Sequence, residues 1–191
     1  LLRWSRKMHI VGTVDTEGAL ASQVVESLRM LDFAEDLCCG GPGRGDRPGS
    51  ADDLGRIADV GSGFGFPALL WKGARKDLVM TLIERKEKSA TFLELLSAKI
   101  GSDGTNVICA DAAAVPVPGS FSIVTSKAAG KLEIMLPIAE RLASPGGLYI
   151  TVKGEGWRRE MASTVSRGME LLEVRAVTGM AGELVAFRRK G

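Results

Sequence analysis

The sequence predicts an α/β fold: a largely parallel, doubly wound sheet with helices on both faces. Three observations predict it. Short apolar runs alternate with stretches of helical periodicity through the body of the chain. The apolar run at 57–60 stops at three alternate glycines, Gly61, Gly63 and Gly65, and a helix begins near Ala68. The next apolar run ends on a carboxylate, Glu84, 23 residues past Gly61. A strand, a glycine turn, a helix and a second strand ending in an acid form the unit that holds a nucleotide-like ligand at the carboxyl edge of a doubly wound sheet.

The elements follow in order. Leu1, Leu2, Trp4, Met8, Ile10 and Val11 lie among Arg3, Arg6 and Lys7 and read as the end of an amphipathic helix. Asp15 or Thr16 then caps a second helix. Its apolar positions Leu20, Val24, Val25, Leu28, Leu31 and Phe33 bury one face. Residues 1–37 are therefore read as an N-terminal helical extension. Residues 38–53 hold a run of glycine and proline that cannot build a core, and read as a flexible loop. Residues 54–191 form the main domain.

Within that domain the expected order is regular. The strand at 57–60 is followed by a helix over 67–75 and a strand over 78–83. A strongly periodic helix follows at 87–100, and Gly101 ends it. A third strand at 106–110 runs into Asp111, Ala112 and Ala113. A fourth, at 121–125, ends at Ser126-Lys127-Ala128. A helix over 131–143 contains Pro137, and Ser144-Pro145-Gly146-Gly147 reads as a turn. The fifth strand, 148–152, ends at Lys153, and a helix over 156–168 follows. Residues 171–177 and 184–188 read as an antiparallel pair at one edge. Groups at the strand ends converge on one crevice: Asp59 through Phe66, Glu84, Asp111 to Ala113, Ser126-Lys127 and Lys153.

Composition narrows the classes. A chain that is 45% hydrophobic and 25% charged is an ordinary globular one. No apolar run reaches the ~20 residues of a membrane helix, so no membrane partner is expected. Cys38, Cys39 and Cys109 lack metal-ligand spacing, so no metal is expected and reduced thiols in a cytoplasmic protein are. The single histidine, His9, argues against a histidine-based triad or metal centre. Nothing calls for a dimer, and a monomer is expected. The net charge of +2 is small, but Arg3, Arg6 and Lys7, then Lys153, Arg158 and Arg159, then Arg188, Arg189 and Lys190 form clusters that suit a phosphate-rich partner.

The glycine spacing narrows the ligand. A dinucleotide fingerprint needs a third glycine at position 66, which is Phe66, and the Gly-Lys-Ser/Thr of a phosphate loop is absent. The Gly-x-Gly-x-Gly turn preceded by Asp59 looks instead like motif I of class I S-adenosylmethionine (SAM) methyltransferases, with Glu84 placed for a ribose diol. The expected architecture is thus the Rossmann-like sheet of that class with a short N-terminal helical extension.

Several segments together resemble the glucose-inhibited division protein B family, the small-subunit rRNA methyltransferases G. Residues 59–67, Asp-Val-Gly-Ser-Gly-Phe-Gly-Phe-Pro, are similar to its motif I, including the Phe-Pro. Thr81-Leu82-Ile83-Glu84, with Lys88 and Phe92-Leu93, resembles its second strand and following helix. Ser126-Lys127-Ala128 resembles its Ser-Arg-Ala motif, with lysine keeping the charge but losing the planar fork. Pro145-Gly146-Gly147 through Lys153-Gly154 resembles its fifth strand. The resemblance implies methyl transfer from SAM to N7 of a guanosine in 16S rRNA, free or in the small ribosomal subunit. It implies a cofactor site of Asp59, Gly61, Ser62, Gly63, Gly65, Phe66, Glu84, Asp111, Ala112, Ala113 and Lys127. Lys127 is also the one expected catalytic residue, and Lys153, Arg158 and Arg159 are the expected RNA contacts. Two other readings compete: a methyltransferase of small molecules, and a non-catalytic rRNA-binding protein on the same fold.

Overall fold

The computed structural model describes residues 16–39, 54–101, 103–164 and 168–191. The expected helix within 1–12 and most of the expected loop, 40–53, lie outside the described residues. The order is α1 (Thr16–Cys39), β1 (Arg56–Val60), α2 (Ala68–Ala74), β2 (Val79–Glu84), α3 (Glu87–Lys99), β3 (Thr105–Cys109), β4 (Phe121–Lys127), α4 (Leu132–Leu142), β5 (Ala143–Lys153), α5 (Trp157–Ser163), β6 (Met169–Ala176) and β7 (Glu183–Arg189).

The strands form one sheet in the order β3-β2-β1-β4-β5-β7-β6. The first five are parallel neighbours, and β7 runs antiparallel between β5 and β6. The order reverses between β1 and β4. That reversal opens the crevice at the carboxyl ends of the strands. β1 sits at its centre: Ile57 pairs with Met80 on one side and Ile123 on the other, and Asp59 with Leu82 and Thr125.

Alternation along the strands builds the core twice. Ile57, Met80, Leu82 and Ile123 bury against one layer that includes Met30 and Phe33 of α1, Trp71 of α2 and Leu93 of α3. Ala58, Val60, Ile83 and Val124 bury against the other layer, with Leu132, Met135 and Leu136 of α4. Each fully buried large side chain contributes about 1.5–3 kcal/mol.

The parallel sheet, the helices on both faces and the antiparallel edge pair are as the apolar pattern predicts, with ends shifted by a residue or two. Two elements differ. The helix expected over 156–168 ends at Ser163, and Thr164 is already extended. The other difference is in β5. Ser144-Pro145-Gly146-Gly147 is not a turn but lies within β5, where the register slips: Phe121 faces Ala143, and Ile123 faces Leu148. The physical reason is crowding. A Cβ on Gly147 would lie 2.9–3.1 Å from the carbonyl oxygens of Ser144, Phe121 and Ser122, so only glycine lets β5 close on β4 there.

α1 is fastened at four places. The Trp71 indole N–H donates to the Ser27 carbonyl at 2.6 Å. Arg75 pairs with Glu35, Arg175 with Asp36 at 2.5 Å, and Lys127 with Glu26 at 3.1 Å.

Candidate functional site

β1 delivers its last residues to the crevice. The turn then folds back on β2: the N–H groups of Gly61 and Ser62 both donate to the Ile83 carbonyl, at 2.8 and 3.3 Å. Gly61, Gly63 and Gly65 have φ of +71°, +51° and +87°, which side chains resist. They do different work. A Cβ on Gly65 would come within 2.5 Å of Leu69, and one on Gly61 within 3.0 Å of the Ala129 methyl. A Cβ on Gly63 would meet nothing nearer than the Gly61 carbonyl at 3.8 Å. Two glycines thus let the chain pack on itself, and the middle one leaves an open cradle.

Carboxylates flank that cradle. Glu84, 6% exposed, accepts the Gly63 N–H at 2.9 Å on one oxygen and the Lys86 N–H at 2.9 Å on the other. Asp59 is fully buried, and neither of its carboxylate oxygens has a hydrogen-bond partner among the described residues. Its carboxyl is held well above the usual carboxylate range, chiefly by burial, with Glu84 adding to the rise and the Ser62 hydroxyl and Lys127 opposing it. A donor-rich, cationic ligand is what such a pair lacks.

The raised value has a testable sign. The folded chain holds this proton more tightly than the unfolded one. Asp59 therefore favours the fold at low pH, and that contribution is lost as pH rises from about 3.9 through the folded value. Asp59→Asn mimics the protonated carboxyl and titrates nowhere. Without ligand, its melting temperature should gain on the wild type as pH goes from about 4 to about 8. Parallel curves would show that Asp59 is not the titrating group.

The third expected strand end is a tight turn. The Ala113 N–H donates to Asp111 Oδ1 at 2.8 Å. Ala112 is buried, and its carbonyl accepts from the Arg141 guanidinium, which also donates to the Val115 carbonyl at 2.6 Å. Arg141 carries no motif signal, yet it fixes this turn beside Glu84, whose carbonyl accepts the Ala110 N–H at 3.2 Å.

Phe64 does not face the crevice openly. Its ring packs edge-on against Phe92 of α3, centroids 5.7 Å apart. Phe66 is half-buried, and the Lys127 ammonium lies 5.9 Å from its centroid.

Lys127 lies in a different setting from the one its motif suggests. Its side chain is 7% exposed, and its ammonium donates to the Gln23 side-chain carbonyl and to Glu26, both on α1. Burial pulls its pKa down and Glu26 pulls it back up. Its charge is therefore committed to α1. Gln23 and Glu26 carried no signal beyond lying on a helix 101 to 104 residues away.

The expected RNA contacts lie on β5 and α5. Lys153 pairs with Glu160 at 2.7 Å, and that partner holds the Glu160 carboxyl below its usual range. Arg158 pairs with Glu183 and lies over the Trp157 ring at 4.6 Å. Arg159 is exposed on the same short helix.

A family model described as GidB, rRNA small subunit methyltransferase G, matches residues 47–182. The chain belongs to this family. As a GidB member it is an rRNA methyltransferase with SAM as its cofactor, and the small-molecule and non-catalytic readings lose to that one. The ribosomal RNA small subunit methyltransferase G of Sorangium cellulosum is 30% identical over 196 residues, covering 100% of this chain and 76% of that protein. The protein of the same name from Halorhodospira halophila is 28% identical, covering 98% and 83%. Among solved structures, an RNA methyltransferase from Salinibacter ruber in complex with S-adenosyl-L-homocysteine superposes with TM-score 0.60 at 14% identity, covering 86% of this chain and 90% of that one. A mutant of MtNAS in complex with SAM superposes with TM-score 0.63 at 17% identity, covering 86% and 62%. Likeness at such identities shows the fold alone.

The GidB site fits its cofactor. SAM brings a ribose diol, an ammonium and a sulfonium, all of which seek carboxylates. Asp59 offers two unpartnered oxygens, Glu84 keeps lone pairs beyond its two backbone donors, and Gly63 leaves the approach open. Among the described residues there is no metal-binding cluster, and no helix is long and apolar enough to cross a membrane.

Proposed function

We propose that this GidB-family enzyme methylates N7 of a guanosine in 16S rRNA. The observation that carries the proposal is the open Gly63 cradle between Asp59 and Glu84, in a chain that the family matches over 47–182. When bound, SAM supplies an electrophilic methyl group on a positively charged sulfur.

The residues of this chain do the positioning. Asp59 and Glu84 meet the cationic and diol ends of the cofactor, and Gly61, Ser62, Gly63 and Gly65 shape its path. Asp111, Ala112, Ala113 and Phe66 bound the adenine side. Guanine N7 presents a free lone pair, so its attack needs no general base. The paucity of titratable groups suited to proton transfer is therefore no handicap. Catalysis rests on alignment and on keeping water out. Lys127 acts as a positioning residue, holding α1 over the crevice. In this reading Arg158 and Arg159 meet RNA phosphates, with an affinity that falls as salt rises.

The test is methyl transfer from labelled SAM to 30S subunits and to naked 16S rRNA, both from a strain lacking this gene. Nucleoside digests should place the label in 7-methylguanosine. Label in another nucleoside would overturn the N7 assignment, and no transfer to either RNA would overturn the substrate.

A further inference from the structure

A second recess lies beside the cradle. At the carboxyl ends of β4 and β5, under α1, there is a cleft of about 300 Å³. Its polar lining includes Gln23, Glu26, Lys127, Thr151, Lys153 and Glu160. No residue of the Gly61–Gly65 turn lines it. The sheet reverses between β1 and β4, so cradle and cleft flank the same switch point from opposite sides. A ligand in the cradle and a ligand in the cleft face each other across that line.

The charges of the cleft say what it takes. Both lysines are already answered from within: Lys127 by Gln23 and Glu26, Lys153 by Glu160. Glu155 adds a further carboxylate to the lining. Among the described residues only one Glu26 oxygen, Oε2, accepts a hydrogen bond, from Lys127 at 3.1 Å, and Oε1 accepts none. The lining thus sets three carboxylates, Glu26, Glu155 and Glu160, against two lysines, which disfavours a phosphate and favours a planar base that donates.

We infer that this cleft receives the target guanine and that Glu26 reads its Watson–Crick edge, accepting from N1–H and the N2 amino group. The inference rests on the guanine-N7 reading. The two donors lie on the edge of the purine away from N7, so a base held this way turns N7 outward, toward the cradle. In the transfer the N7 lone pair forms the new N–CH₃ bond, and the S–CH₃ electron pair stays on sulfur. No proton moves, and one positive charge passes from the sulfonium to the purine. That charge makes N1–H a stronger donor. The Glu26 carboxylate therefore binds the transition state more tightly than the ground state, which is what raises a rate.

The test uses 16S rRNA assembled with guanosine or inosine at the nucleotide that the wild-type enzyme methylates. Inosine keeps N7 and N1–H and lacks the N2 amino group. Wild-type kcat/KM should fall roughly ten- to a hundredfold on inosine. Glu26→Ala should lose a similar factor on guanosine, mainly in kcat, and should no longer distinguish the two bases. Its SAM affinity should match the wild type. Glu26→Gln, which keeps one acceptor oxygen, should fall between. A wild-type enzyme indifferent to inosine overturns the inference, whatever the variants do. So does a Glu26→Ala enzyme slowed equally on both RNAs, because Glu26 then only holds Lys127. Absence of 7-methylguanosine from the wild-type reaction is the separate result that sinks the guanine-N7 reading and this inference with it.

Discussion

Gly63→Leu abolishes useful cofactor binding: the SAM dissociation constant, read by calorimetry, rises at least about a hundredfold, equivalent to about 3 kcal/mol. The reason is local. A side chain at this position meets no protein atom nearer than 3.8 Å and instead fills the open space beside Glu84. The backbone penalty is separable. A leucine in the left-handed region costs about 1–2 kcal/mol, which lowers the melting temperature by roughly 2–8 °C in a chain of this size. Gly101→Leu supplies the control. Gly101 has φ +62° and open space around it, well away from the cradle. That variant should share the thermal loss and keep wild-type SAM affinity. Retained binding in Gly63→Leu would place the cofactor elsewhere.

Trp71→Ala is the largest expected loss of stability. The indole is fully buried in the layer shared by α1 and α2, and its N–H is bonded to the Ser27 carbonyl at 2.6 Å. Truncating a buried tryptophan costs about 3–5 kcal/mol. The melting temperature should drop by roughly 6–20 °C. Trp71→Phe keeps most of the apolar area but not the donor, and should lie between. The loss should also appear locally, as faster proteolysis within α1. A change of under about 1 kcal/mol in chemical denaturation would mean that α1 is not held through this contact.

Gly63 and Trp71 differ in how much of their role the sequence shows. Gly63, Asp59 and Glu84 were legible because their chemistry is local: a strand, a turn and an acid at fixed spacing. The alternation of strand and helix is legible in apolar runs separated by helical periods; the order of the strands in the sheet is not. β5 began too late in that reading because Pro145-Gly146-Gly147 carries the composition of a turn. Only the carbonyls packed around Gly147 show that it is strand. The role of α1 was not legible. Its periodicity shows that one face is buried but misplaces part of it, since Val25 and Leu28 are exposed while Ser27, Met30 and Ala34 are buried. Glu26, Glu35 and Asp36 find Lys127, Arg75 and Arg175 across 40 to 139 residues. Pairing at such separations leaves no periodic trace. Lys127 was therefore noticed for its motif and missed for its partners, and Glu26 was missed altogether.

The position of β7 bears on how the molecule is made. Leu184, Val185, Ala186 and Phe187 are buried, and their strand is an interior one, bonded to β5 on one side and β6 on the other. A ribosome releases these residues after all the others that the sheet requires. Until they emerge, the nascent β5 keeps a bare edge, and β6 has no neighbour in the sheet at all. Unpaired edges are the part of an unfinished sheet most prone to pair wrongly with another chain. Completion of this fold therefore waits for its last strand, and the interval before it is when the protein most needs a chaperone's cover.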